Sequence, residues 1–181
     1  MKNTCFFGIP FDIPQLLNNL GLVYVSKHDF QNAEAVLTAA LRAEESAVGQ
    51  SHPDLVFTLD ALGLLFTKSG RYAEAEQQYR RALTILEPMK AECEMRIARV
   101  LQSLSLMYIT GGRSTEAGDA LAEAAAIARR NTSHSDMVAI IDAYADWLKN
   151  QRKIKEAQEL RAEAKRARIA ASMIVHASGR F

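Results

Sequence analysis

The chain has 181 residues, of which 49% are hydrophobic and 24% charged, with a formal net charge of +1. That length and apolar content can bury one continuous core and fit one domain better than two, and the near-zero charge gives the whole molecule no electrostatic footprint for nucleic acid. No apolar run approaches the roughly 18 residues of a membrane span, and the opening MKNTCFFGIPF has no apolar core followed by a small-residue cleavage site, so a cytoplasmic location is the default expectation.

In chain order, a short leader over residues 1–10 precedes a run that is written more than once. Residues 20–34, LGLVYVSKHDFQNAE, return at 62–76 as LGLLFTKSGRYAEAE, with Gly21 answered by Gly63 and Ala33 by Ala75, 42 residues on. Such a period is the mark of stacked units. Within the second copy, Leu59, Leu62 and Leu65 or Phe66 recur at helical spacing, Gly70 ends the helix, and Tyr72, Ala75, Tyr79, Ala82, Leu83 and Leu86 begin a second one that stops before Pro88. Each unit therefore reads as a helical hairpin. The third copy places Leu101, Leu104, Ser105 and Tyr108, then Ala117, Leu121 and Ala124, a further 42 residues along. The fourth places Ile141, Tyr144, Ala145 and Leu148, then Ala157 and Ala164, after a step of 40.

The recurrence has a packing cause. Gly21, Gly63, Ser105 and Ala145 on the first helices oppose Ala33, Ala75, Ala117 and Ala157 on the second, where only small groups let two helices approach closely. Tyr24, Phe66, Tyr108 and Leu148, together with Phe30, Tyr72 and Ile154, are expected to fill the space on either side. One hairpin cannot bury both faces, so its neighbours must close the core. The expected bounds are a single domain over 11–174, with units near 11–50, 53–90, 95–132 and 136–174, and a tail over 175–181.

No catalytic or metal constellation emerges, and no cofactor is expected. His28, His52, His134 and His176 form no i, i+4 pair, and His28 stands at the turn position held elsewhere by Gly70 and Gly112, where a left-handed backbone is tolerated by His better than by most residues. Cys5 and Cys93 are too far apart in sequence for a metal knuckle. Gly111-Gly112 is a hairpin turn, since no GxxxxGK[ST] follows a strand. Glu74, Glu76, Arg80 and Arg81 read as a solvated face with i, i+4 pairs. Charge is nevertheless uneven: residues 151–181 carry eight basic against three acidic residues. A basic terminal helix could touch phosphates, but Glu alternates with its Arg and Lys and no aromatic platform accompanies them, which disfavours nucleic acid.

The pattern Leu59-x-x-Leu62-Gly63-x-x-Phe66 followed by Ala75-x-x-x-Tyr79 and Ala82 resembles the tetratricopeptide repeat, with Leu in place of the frequent Trp and Pro88 near the usual final Pro. The 42-residue step and the wording of residues 52–87 resemble the longer kinesin-light-chain type, whose eight extra residues add about two helical turns per hairpin to a 34-residue unit. Likeness is clear over 11–88 and 96–130 and thinner over 138–170, where Ala145 and Arg152 replace glycines. The ending YADWLKNQRKIKEAQELRAEAKRAR is similar to the C-terminal hairpin of many bacterial members, so it reads as a terminal unit with a polar outer face.

The resemblance implies an all-α right-handed superhelix of four hairpins acting as a non-catalytic scaffold that binds a protein or peptide. It also implies a concave groove lined by the first helices: Gln15, Asn18, Leu22 and Val25; Phe57, Asp60, Leu64 and Lys68; Arg99, Gln102, Leu106 and Ile109; Asp142, Asp146 and Lys149. Asn18-Asn19 matches an Asn pair whose amides can hold a peptide backbone. A carboxylate clamp of Lys and Asn is not reproduced, since Asp60 and Asp142 stand at its positions, so the expected ligand is a peptide or short helix with apolar anchors and one basic residue. The alternatives are a self-associating regulatory domain and a nucleic-acid binder. For the former, Phe6, Phe7, Phe11, Leu16 and Leu17 would leave an apolar end face for a homodimer or for a preceding part of a longer array.

Overall fold

The computed structural model describes residues 13–131 and 136–178. Among the described residues eight α-helices follow one another: α1 (Ile13–Ser26), α2 (Phe30–Val48), α3 (Leu55–Lys68), α4 (Tyr72–Leu86), α5 (Glu94–Thr110), α6 (Ser114–Arg130), α7 (Met137–Asn150) and α8 (Ile154–Ser178). A single 3-10 turn, Glu87–Met89, carries Pro88 at its start and ends the second hairpin. No strand occurs among the described residues. The expectation of an all-helical chain of four hairpins holds, and α8 continues past residue 174 to Ser178.

The hairpin turns repeat in backbone detail. His28, Gly70, Gly112 and Arg152 all have φ between 60° and 78°. After each, the N–H of Asp29, Arg71, Arg113 and Lys153 donates back to the carbonyl of Tyr24, Phe66, Tyr108 and Leu148 at 2.8–3.0 Å. This is the six-to-one bond that closes a helix through a left-handed residue. Arg152 therefore adopts the geometry of the glycine it replaces, at the steric cost of a Cβ.

Every helix packs on the next, and α1, α3, α5 and α7 also touch one another in order, whereas the even-numbered helices make no comparable contact among the described residues. The odd helices thus form one layer and the even helices a second, outer one. Between them runs a core that reaches from Val25 and Leu37 to Leu160 and Ala164. Gly63 shows why the small positions recur: a Cβ built there would lie 2.5 Å from the ring of Tyr79. Two of the expected core fillers do not fill it. Ile154 is exposed, and Tyr72 lies over the next hairpin's turn, its ring near Gly111 and its hydroxyl donating to the carbonyl of Thr110 at 3.2 Å. Tyr72 thus points along the stack, whereas Phe30 at the matching position packs against the core.

Candidate functional site

The layer of odd-numbered helices brings some of the expected groove residues together and withdraws others. Phe57 and Asp60 on α3 meet Arg99 on α5 in a pocket of about 170 Å³ that Val56, Arg96 and Val100 complete. A second pocket of about 230 Å³, farther along, brings Gln102, Leu106 and Ile109 together with Ser103 of α5 and Ala143 of α7. Phe57 also borders a third hollow, at the mouth of the first hairpin, shared with Pro14, Gln15 and Arg96. Leu106 and Ile109 are large apolar side chains left exposed, while Leu22 and Leu64 pack partly against the core. Lys68 and Lys149 are exposed in the last turns of α3 and α7.

Two expected groove residues lie inside the stack instead. Val25 belongs to the core, and Asn18 is only 1% exposed. Asn18 Nδ2 donates to Thr58 Oγ1 at 2.6 Å and to Glu44 at 3.3 Å, and Thr58 Oγ1 donates to Glu44 Oε2 at 2.6 Å. The amide expected to hold a peptide thus ties α1 to α2 and α3, because its face of α1 looks onto α3. Asp142 and Asp146 are also engaged within the chain: Arg161 on α8 donates to Asp142 at 3.2 Å and to Asp146 at 2.7 Å.

Asp60 is the group with unspent capacity. Burial raises its carboxyl above the ordinary value, and a hydrogen bond from Ser103 and the charge of Arg99 pull it part of the way back. Its Oδ1 is buried with no hydrogen-bond partner. The two arginines around it have other acceptors: Arg96 donates to the carbonyl of Pro53 at 2.6 Å, and Arg99 lies 3.5 Å from Asp136. An unpaired carboxylate oxygen at the base of a pocket costs stability unless a donor reaches it.

The sequence reading missed a pair of clamps on the outer layer. Arg71 stacks on Phe66, donates to Glu74 on its own helix and reaches back to Glu34 of the preceding hairpin at 2.5 Å. Arg113 repeats this 42 residues later, stacking on Tyr108 and bonding Glu116 and, at 2.6 Å, Glu76. Glu76, taken from sequence as part of a solvated face, is instead a junction. Burial pushes its carboxyl upward, but hydrogen bonds from Arg80, Arg113 and Tyr108 outweigh that and hold it at about 2. The available signal was that both members of each pair recur at the repeat period, which places them side by side in a stack.

Among the described residues no cluster of His, Cys, Asp and Glu could hold a metal ion, and no helix is long and apolar enough to cross a membrane. Cys93 is a free thiol at the start of α5. Phe6, Phe7 and Phe11, with His134 and Cys5, lie outside the described residues.

Residues 12–87 match the family model described as tetratricopeptide repeat. Comparison with curated proteins gave no match. Among solved structures the fold is similar to BtubC (BKLC) from P. vanneervenii, with a TM-score of 0.69 and 20% identity over 91% of this chain and 68% of that one. The nearly identical TPR-like repeats of a Podosopora anserina kinesin light chain align at a TM-score of 0.42 and 15% identity over 87% of this chain and 97% of that one. The first of these shows the fold; the second is too distant in shape to add to it. The matched model assigns residues 12–87 to the tetratricopeptide repeat, and the likeness to the first of these solved structures shows that the rest of the chain continues the same fold of stacked hairpins.

Proposed function

We infer that the chain is a non-catalytic interaction module whose concave layer binds a peptide or short helix carrying apolar anchors and one basic residue. Tetratricopeptide repeats generally mediate protein–protein contacts, and the observation that favours this particular ligand is the buried, unpartnered Oδ1 of Asp60 beside Phe57. A Lys or Arg of the ligand would supply the missing donor, while Phe57 at one pocket and Leu106 and Ile109 at the next would take apolar side chains. The two pockets share no lining residue, so the ligand would be anchored at two points.

A peptide array screened with the purified chain tests this reading. Peptides that combine two apolar residues with a Lys or Arg should be retained, and Phe57→Ala or Asp60→Asn should each weaken the retained peptide by about 1 to 3 kcal/mol. Asp60→Asn should at the same time leave the fold as stable or slightly more stable at neutral pH, because a carboxyl whose folded value is raised opposes folding once it ionises. Affinity that ignores Phe57, Asp60 and Leu106 but falls when Lys165 and Arg166 are neutralised would assign binding to the basic terminal helix. A second reading, self-association, is favoured by a separate observation on α1.

A further inference from the structure

The outward face of α1 carries Ile13, Leu16, Leu20 and Val23, which are 60, 55, 41 and 47% exposed. One repeat later the same register holds Leu55, Thr58, Leu62 and Leu65, which are 0, 0, 3 and 1% exposed because the first hairpin covers them. In the third hairpin it holds Ile97, Val100, Leu104 and Met107, all buried likewise. The chain's own repeats thus identify the stripe on α1 as a stacking face without a neighbour among the described residues.

Three features say what fits there. First, α1, IPQLLNNLGLVYVS, contains no charged residue, so two copies meet without like-charge repulsion. Second, the stripe is spaced three, four, three, which reads the same in both directions. Two antiparallel copies related by a two-fold axis pair Ile13 with the partner's Val23 and Leu16 with the partner's Leu20, so every knob finds an apolar partner. Third, at the other end of the stack α8 has exposed Arg161 and Lys165 where α2, α4 and α6 have Leu37, Tyr79 and Leu121, and Leu41, Leu83 and Ala125, charges that would meet the apolar stripe of α1 in a head-to-tail contact. Head-to-tail joining is thereby disfavoured and growth stops at two.

We propose that this face is a head-to-head homodimer interface in which α1 packs antiparallel on α1 of a second copy. The inference rests on the self-association reading and is independent of the groove. A standard specific interface buries about 800 Å² per partner, and four side chains on one helix make a small patch by that measure, so the expected dimer is weak and reversible.

Sedimentation of the full chain from low to high micromolar concentration should show mass doubling. Leu16→Lys and Leu20→Glu, each alone, should be monomeric with an unchanged helix signal. An equimolar mixture of the two variants should dimerise again. The antiparallel arrangement sets position 16 of one copy against position 20 of the other, so opposite charges meet at one contact and the two native leucines at its symmetry mate; a parallel arrangement would not restore the pairing. A full chain that stays monomeric, a dimer that neither substitution weakens, or a mixture that stays monomeric overturns the proposal. Phe57→Ala and Asp60→Asn should leave the dimer intact, which separates its failure from that of the groove.

Discussion

The two ends of the stack face the same problem and meet it differently. At the N-terminal end, α1 keeps the apolar residues of an interior helix and leaves them exposed, whereas at the C-terminal end α8 replaces apolar residues with Arg161 and Lys165. Arg161 also turns back to bind Asp142 and Asp146, so its charge is met within its own hairpin. In a solenoid the worth of an apolar side chain depends on whether a neighbour covers it, not on the helix that carries it. Charged residues at those positions of α8 disfavour a further apolar contact, whereas the apolar residues kept on α1 are suited to one.

That contrast can be broken at matched positions. Leu62→Glu would bury an unpaired charge where the first hairpin covers α3, and should cost about 3 to 5 kcal/mol or prevent folding, read as loss of a cooperative urea transition. Gly63→Leu, in the same helix, would force a side chain into the ring of Tyr79 and should cost about 1 to 3 kcal/mol or more by thermal unfolding. Interior junctions should also show a pH signature that the ends do not. Glu76 is held at about 2 against an ordinary 4.5, so the stability it contributes is fully present above pH 4.5 and is lost as pH falls toward 2. Glu76→Gln should remove that part of the acid dependence. The smallest effect belongs to the open end: Leu20→Glu, one repeat before Leu62, should change the monomer's stability by no more than about 0.5 kcal/mol. If it destabilises the monomer as Leu62→Glu does, the stripe on α1 is already covered and the comparison fails.

Legibility in the sequence followed the range of the interaction. The turns were readable because a left-handed residue is a local demand, and Gly70, Gly112 and His28 all declare it; Arg152 does not, yet the surrounding hairpin imposes the same φ on it. Phe57, Asp60 and Arg99 were expected on one face by repeat position, and only the packing showed that they line one pocket and that the Asp60 carboxylate has an unsatisfied oxygen. Asn18 was misplaced because its 42-residue equivalent, Asp60, lines the groove, while Asn18 itself meets Thr58 and Glu44, which have no polar counterpart at the next junction: there stand Val100 and Leu86.

By itself the sequence determined the period, the helices, the turns and the small-to-large packing within each hairpin, since these depend on residues within one repeat and recur four times. Only the tertiary structure decided which polar groups are consumed between repeats. The reach of Arg71 to Glu34 and of Arg113 to Glu76 depends on how neighbouring hairpins are set side by side. Burial of a charge or an amide is a property of the stack, because the partner that desolvates or satisfies it comes from another helix.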